Sequence, residues 1–239
     1  KANASFERNE AQAEWKYKDK KLDKWSIDFS NLKFWIKPTA FKHTGIFPEQ
    51  TVNWDWTRKI INENSDKKEI NVLNLFGYTG GASLACAQAG AKVVHVDSSK
   101  SAITWAKENA EISGLSNKPI RWILEDVRLF VEREIKRGNK YDAIIMDPPA
   151  FGHGANDEVW KIENDLIPLI DKCIEILNEK PLFFLINGYS AGYSCIAYKN
   201  ILDVLFNKYG GSTEIGELAI QENDSNRLLP CGIFARWKG

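Results

Sequence analysis

NVLNLFGYTGG, Asn71 to Gly81, is the stretch of sequence that decides the fold. It is a short apolar run that breaks into a glycine-rich turn, and a predicted helix follows at once. Glycine lets backbone amides approach a ligand because it carries no Cβ. Since the pattern is GYTGG and not GxGxxG, it does not satisfy the diphosphate-binding fingerprint. Gly77, Gly80 and Gly81 therefore predict a turn that holds a nucleotide-like cofactor.

From residue 70 onward, short β-branched runs alternate with longer helical stretches. This alternation predicts an α/β fold with a mostly parallel sheet and helices on both faces. The two final runs alternate in period two and predict an antiparallel pair. The predicted strands are 70–76, 91–97, 119–126, 141–147, 181–187, 213–220 and 231–237, and the predicted helices are 51–64, 81–90, 98–114, 127–138, 162–180 and 194–209.

The first fifty residues have a different pattern. WSIDF and LKFWIK alternate in period two around Ser30 and Asn31, which predicts a β-hairpin. We therefore expect an N-terminal extension, residues 1–50, and a main domain, residues 51–239. Because the first residue is lysine and not methionine, we also expect further residues upstream.

Composition excludes several classes of protein. The formal net charge of the 239 residues is zero, which argues against a strongly basic nucleic-acid coat. No apolar run approaches membrane-spanning length, and no signal peptide opens the chain. The cysteines have no CxxC spacing, so we expect neither a metal site nor a disulfide framework, and we expect a cytoplasmic protein. They are Cys86, Cys173, Cys195 and Cys231.

Two acidic residues end the second and third predicted strands. Asp97 lies twenty residues beyond Gly77, and an acid in that place accepts hydrogen bonds from a ribose diol. Asp126 can accept from an adenine amino group while the Val127 backbone N–H donates to the ring, and it can equally cap the next helix. The glycines and acids predict a cofactor, but they do not choose between a nicotinamide nucleotide and S-adenosylmethionine.

The fourth predicted strand runs into the motif DPPAF, residues 147–151. The carboxyl ends of strands in an open α/β sheet face the ligand crevice, so Asp147 should point into the site. Pro148 and Pro149 fix φ and remove two N–H donors, which holds the acid and the carbonyls rigidly. Phe151 offers a ring for stacking on a planar substrate. The motif suits a nucleobase, and the alternative is a plain turn with a core phenylalanine.

Together these motifs support a resemblance. NLFGYTGGASLACAQAGAKVVHVDSSKSAITWAKENAEISGL followed by DPPAFG resembles the class I S-adenosylmethionine-dependent methyltransferases, and more narrowly the large-subunit ribosomal RNA methyltransferases and their uncharacterised relatives. The similarity covers about Phe41 to Trp237. It implies a Rossmann-like seven-stranded sheet with an antiparallel last strand. FKHTGIFPEQ, residues 41–50, is similar to a segment that borders the methionine end of the cofactor in this family.

The resemblance implies a set of site residues. The backbone at 77–81 would hold the methionine part of the cofactor, Asp97 the ribose and Asp126 the adenine. The cofactor-binding residues expected are Thr44, Phe47, Gln50, Phe76, Gly77, Tyr78, Thr79, Gly80, Gly81, Asp97, Ser98, Asp126 and Val127. The residues expected at the reacting atoms are Asp147, Pro148, Pro149 and Phe151.

One departure from the family pattern bears on the reaction. Members that methylate carbon 5 of cytosine need a nucleophilic cysteine, because that carbon attacks only after a thiolate adds to the ring. In those members the nucleophilic cysteine usually follows the fifth strand, where this sequence has Tyr189 and Ser190. Cys195 falls several residues late and is interpreted as structural. A ring or exocyclic nitrogen of a base in RNA is therefore the expected acceptor.

Three other interpretations stay open on the sequence. A methyltransferase acting on protein or a small molecule would share the cofactor half. A nicotinamide-dependent dehydrogenase would share the turn and Asp97. A non-catalytic ribosome-assembly factor would keep the fold without turnover. The histidines suggest no metal, and His95, in a predicted buried strand, is interpreted as a core residue.

Overall fold

A computed structural model describes residues 3–8, 13–18, 23–39, 43–153, 158–189 and 192–239. Ser190 lies outside these ranges. The strands are β1 (Ala4–Arg8), β2 (Ala13–Tyr17), β3 (Trp25–Phe29), β4 (Leu32–Ile36), β5 (Asn71–Leu75), β6 (Lys92–Asp97), β7 (Ile120–Leu124), β8 (Ala143–Met146), β9 (Phe151–His153), β10 (Val159–Lys161), β11 (Phe183–Gly188), β12 (Ser212–Gln221) and β13 (Leu228–Lys238). The helices are α1 (Thr51–Asn64), α2 (Gly81–Gln88), α3 (Lys100–Ile112), α4 (Val127–Arg137), α5 (Ile162–Glu175) and α6 (Cys195–Tyr209), and a 3₁₀ turn (Pro48–Gln50) precedes α1.

Seven of the strands form one sheet in the order β12-β13-β11-β8-β5-β6-β7. Strands β11, β8, β5, β6 and β7 pair in parallel, whereas β13 runs antiparallel to both β11 and β12. The predicted seven-stranded sheet with an antiparallel last strand is confirmed. Its parallel part places the carboxyl ends of β5, β6, β7, β8 and β11 along one edge.

Helices cover both faces of the sheet because the central strands are apolar on both sides. In β5, Leu73 and Leu75 pack against α4 and α5, whereas Val72 packs on the opposite face against α1 and α2. All three side chains are completely buried. The neighbouring residues of one strand therefore belong to two different core clusters, as the alternation of side chains along a strand requires.

The N-terminal hairpin forms as predicted and packs on α1 and α3. Ser30 and Asn31 both have positive φ, at 50° and 59°, the conformation of a tight primed turn between strands. The Trp35 N–H donates to Asn109 Oδ1 at 2.8 Å, and the Phe34 ring stacks on Trp54 with centroids 5.7 Å apart. The hairpin thus becomes part of the wall next to the glycine turn. A division of the chain at residue 50 stays a prediction.

Several predicted boundaries were wrong, and two hairpins were not predicted. Helix α5 ends at Glu175 and not at residue 180, because Leu177 forms a strand-like bridge to Tyr141 and Asn178 N–H donates to Tyr141 O. Helix α3 begins at Lys100, since Ser99 is its cap and accepts from the Ala102 N–H. The unpredicted hairpins are β1–β2 and β9–β10. Among the described residues, no helix is both long and apolar enough to cross a membrane.

Candidate active site

The glycine turn after β5 is bent by left-handed backbone. Phe76, Tyr78 and Gly80 have φ of 57°, 49° and 91°, and two of them are not glycine, which marks the turn as strained. A Cβ at Gly77 would lie 2.3 Å from the His95 ring, and a Cβ at Gly81 would lie 2.4 Å from the Trp54 ring. Glycine is thus required at both positions by the packing beneath the turn.

His95 supports the turn from inside the core. Its side chain is completely buried, and its Nδ1 lies 2.9 Å from Ser83 Oγ. Burial lowers the pKa of His95 to about 3, so the ring is neutral at physiological pH. The interpretation of His95 as a core residue is confirmed. Across the described residues, no three His, Cys, Asp or Glu side chains group as a metal site would need.

Asp97 fastens the turn to the next strand. Its carboxylate accepts from the Tyr78 N–H at 2.9 Å and from the Ser99 N–H at 2.8 Å. Burial raises the pKa of Asp97, and the two backbone donors oppose that shift. With Tyr78, Asp97 lines a cleft whose other wall contains Trp105 of α3. An acid here can accept from a diol, as the sequence predicted, and Ser98 lies between it and the Ser99 cap.

A second cleft, the main cleft, runs from the glycine turn to the end of β8. It brings together eight of the residues expected at the site: Phe47, Gln50, Phe76, Gly77, Tyr78, Thr79, Gly81 and Asp147. Its remaining lining was not predicted: Phe34, Ile46, Trp54, Asn74, Ala82, Ile145 and Asn187. The amide side chains of Asn74 and Asn187 are both buried, so the cleft has fixed polar groups in an apolar wall.

The segment before α1 is tied to the turn by Thr79. The Thr79 hydroxyl donates to the Gly45 carbonyl at 2.8 Å, and the Thr79 carbonyl accepts from Asn109 Nδ2 at 3.0 Å. The Thr44 carbonyl accepts from the Lys37 N–H at 3.1 Å, which joins this segment to the end of β4. Thr44 therefore holds the wall together beside the cleft, and its contact with a cofactor stays a prediction.

Asp126 caps α4. Its carboxylate accepts from the Arg128 N–H at 2.8 Å and forms an ion pair with the Arg128 guanidinium at 2.9 Å. Burial alone would raise the pKa of Asp126, but the contacts with Arg128 outweigh burial and hold that pKa below its usual range. Asp126 lines a neighbouring cleft together with Arg128 and Lys172. The cap interpretation is confirmed, and the adenine contacts of Asp126 and Val127 stay predictions.

Asp147 lies on the floor of the main cleft. Its Oδ2 accepts from Gln50 Nε2 at 3.2 Å, and the same amide donates to the Tyr189 hydroxyl at 2.8 Å. Burial raises the pKa of Asp147 to about 7, and the nearby Glu49 carboxylate adds to the shift. A carboxyl group with a pKa near neutrality can exchange a proton with a substrate at physiological pH.

This pKa predicts how stability depends on pH. In the unfolded chain the carboxyl ionises near pH 4, so between about pH 4 and 7 the folded state binds more protons, and stability falls as pH rises. We expect Asp147→Asn to match the wild type at pH 4 and to exceed its unfolding free energy by roughly 1–4 kcal/mol at pH 8. Urea denaturation at both values measures this. If the difference in unfolding free energy between the two proteins did not change with pH, it would contradict a raised pKa of Asp147.

Pro149 is held by Trp160 of the unpredicted hairpin β9–β10. Trp160 Nε1 donates to the Pro149 carbonyl at 2.7 Å, and the Trp160 ring meets Phe76 at a centroid distance of 4.9 Å. Pro148 itself is buried. Phe151 begins β9, is 54% exposed and lies outside the lining of the main cleft. The roles of these residues at the reacting atoms stay predictions.

Tyr189, Asn187 and Glu49 were missed as site residues. Tyr189 and Asn187 lie at the end of β11, at the sheet edge where the sequence already placed Asp97 and Asp147, so strand-end position alone could have indicated them. Glu49 directly precedes Gln50, a predicted site residue, and its side chain is buried. Cys195 is the first residue of α6, behind a Ser194 cap. Its interpretation as structural stays a prediction.

Comparisons with known proteins agree with this fold. A family model described as S-adenosylmethionine-dependent methyltransferase matches residues 4–178. The crystal structure of a SAM-dependent methyltransferase from Agrobacterium tumefaciens is 40% identical in sequence and superposes with a TM-score of 0.92, over 99% of this chain and 77% of that one.

Two curated relatives carry the names of ribosomal RNA methyltransferases. Ribosomal RNA large subunit methyltransferase K of Neisseria meningitidis is 26% identical over 225 residues, 93% of this chain and 60% of its own length. Ribosomal RNA large subunit methyltransferase K/L of Shewanella frigidimarina is 34% identical over 148 residues, 61% of this chain and 20% of its own length. The chain thus spans less than two thirds of either relative. From the family model and the Agrobacterium structure, the chain belongs to the S-adenosylmethionine-dependent methyltransferases.

Proposed function

We propose that this methyltransferase acts on RNA of the large ribosomal subunit, in the cytoplasm, and methylates a nitrogen of a nucleobase. The observation that carries the proposal is Asp147, a carboxyl group with a pKa near 7 on the floor of the cleft, directly before two prolines. The names of the curated relatives support RNA as the substrate. An acceptor nitrogen that carries hydrogen must lose a proton when it is methylated, and Asp147 can accept it.

The residues present fit S-adenosylmethionine as the cofactor. Four residues of the glycine turn, Gly77, Tyr78, Thr79 and Gly81, line the cleft, and the Asp97 carboxylate lies at the end of the next strand, where it can accept from a ribose. When bound, the cofactor supplies a methyl group that is already activated on a sulfonium. The protein's part is then to align the acceptor for in-line attack and to keep water away from the reacting atoms.

A nitrogen is favoured over carbon 5 of cytosine by the residue after β11. On the resemblance, Tyr189 and Ser190 stand where the carbon-methylating members of the family have their nucleophilic cysteine, and the hydroxyl of Tyr189, whose pKa is raised by burial, is a poor nucleophile. The exposed ring of Phe151, which follows the two prolines, would stack on the face of the base.

Transfer of a labelled methyl group tests the proposal. We would incubate the protein with methyl-tritiated S-adenosylmethionine and large-subunit ribosomal RNA transcribed in vitro, which carries no modifications. Small-subunit RNA and purified ribosomal proteins serve as controls. We expect label in the large-subunit RNA alone, and nuclease digestion with mass spectrometry should place it on a base nitrogen. Label only in protein, or on a base carbon, would refute the proposal.

A further inference from the structure

Tyr189 is not among the residues that line the main cleft, but it contacts two of them, Phe47 and Gln50. It follows β11 directly, and its side chain is 38% exposed. Its ring packs beside Phe47, with centroids 5.6 Å apart, and Phe47 in turn meets Tyr78 at 5.7 Å. Phe47 and Tyr78 both line the cleft. Tyr189 is therefore the outermost ring of a row that begins at the glycine turn.

The hydroxyl of Tyr189 is bound to the group that holds Asp147. Gln50 Nε2 donates to the Tyr189 hydroxyl at 2.8 Å and to Asp147 Oδ2 at 3.2 Å, so a single amide spans the two side chains. The Glu49 carboxylate, which is only 8% exposed, also lies near the Tyr189 hydroxyl and contributes to raising its pKa. Tyr189 is thus held at its hydroxyl by Gln50, while its side chain is partly exposed.

The neighbouring strand leaves room for this ring. A Cβ at Gly232 of β13 would lie 2.8 Å from Tyr189 Cε1 and 2.9 Å from the Gly188 carbonyl oxygen. Any larger residue at Gly232 would push the ring away from its present place. The ring is therefore held from the β13 side, and a rigid aromatic surface costs little conformational entropy when a planar ligand binds it.

We infer that Tyr189 is a substrate-binding residue, whose ring stacks on the planar base while its hydroxyl keeps Gln50 oriented toward Asp147. This inference rests on the proposed function, since it requires a heterocyclic base in the cleft. A base that rests against Tyr189 lies next to Asp147, because the two side chains share the Gln50 amide. Stacking on an aromatic ring does not discriminate between bases. Selectivity for one base would therefore come from the hydrogen-bonding groups on the floor of the main cleft.

Three variants test the inference by steady-state kinetics on unmodified large-subunit RNA. Loss of one base-stacking ring is worth about 5- to 150-fold, so Tyr189→Ala should lower kcat/KM for RNA by that factor. Tyr189→Phe keeps the ring and should recover most of the loss. Tyr209→Ala is the matched control, because Tyr209 packs on Trp237 at the end of α6, outside the cleft.

A cofactor titration separates this effect from misfolding. Calorimetry should show that Tyr189→Ala still binds S-adenosylmethionine, since Asp97 and the glycine turn are left intact. The inference is overturned if Tyr189→Ala turns over RNA like Tyr209→Ala, or if Tyr189→Phe is as impaired as Tyr189→Ala.

Failure of the proposed function would have a different signature. If the wild type methylates no RNA, the proposed function has failed, and Tyr189 is then judged by ligand-observed saturation-transfer NMR. The probes are guanosine and cytidine, with the protein saturated by S-adenosylhomocysteine. A signal with the wild type and Tyr209→Ala that disappears with Tyr189→Ala supports the ring as a base-binding surface. The inference is overturned if the signal persists in Tyr189→Ala or is missing from all three proteins.

Discussion

Replacing Asp147 with alanine is expected to lower the rate of methyl transfer by about 10²- to 10⁴-fold, the range in which a positioned acid–base group contributes. The reason is local. The carboxylate is the titratable group on the floor of the cleft whose pKa is raised to about 7. On the proposed function, the variant would lack the carboxylate that orients the acceptor nitrogen and takes its proton.

Single-turnover kinetics with saturating cofactor and RNA measure this effect. Asp203→Asn is the control carboxylate, because Asp203 pairs with Lys199 on α6, away from the cleft. Calorimetry should show that Asp147→Ala still binds S-adenosylmethionine. Transfer at the wild-type rate by a variant that is folded and binds the cofactor would remove Asp147 from the mechanism.

The second large effect is expected at Asp97. Asp97→Ala should weaken S-adenosylmethionine binding by about 10- to 100-fold, because a hydrogen bond to a charged acceptor is worth roughly 1.5–3 kcal/mol. Part of the loss arises before the cofactor binds, since the carboxylate also holds the Tyr78 and Ser99 amides.

Two further variants divide the loss at Asp97 into its parts. Ser99→Ala removes the cap of α3 without removing the carboxylate, and it should lower thermal stability while leaving affinity within about 3-fold. Asp97→Asn keeps one acceptor oxygen and should fall between wild type and Asp97→Ala. Calorimetric titration measures all three. An Asp97→Ala protein that binds the cofactor as tightly as the wild type would contradict the ribose interpretation.

Much of the fold and the cofactor half of the site could be predicted from the sequence. The signals there are local: a strand that ends in GYTGG, and acids at the ends of the next strands. Gly77 and Asp97 come together because parallel strands end at the same edge of the sheet. The same rule predicts that Asp147 points into the cleft.

The substrate half could not be predicted in the same way, because it depends on contacts between distant segments. Gln50 reaches Asp147 across 97 residues and Tyr189 across 139 residues. Nothing in the sequence near Glu49 indicates that its side chain is buried beside another carboxyl group. The hairpin β9–β10 was missed because it is two three-residue strands, too short for a period-two pattern to stand out.

The buried Asn53 has a consequence for biosynthesis. Its amide donates to Asn187 Oδ1 at 2.7 Å, and its own oxygen accepts from Arg236 Nη1 at 3.1 Å. Asn53 is completely buried, and burial without partners would cost about 1–3 kcal/mol. On the ribosome, these partners leave the exit tunnel 134 and 183 residues later. The two contacts can therefore exist together only after β13 has been translated, and until then the polar groups of Asn53 lack the full set of partners that they have in the folded sheet.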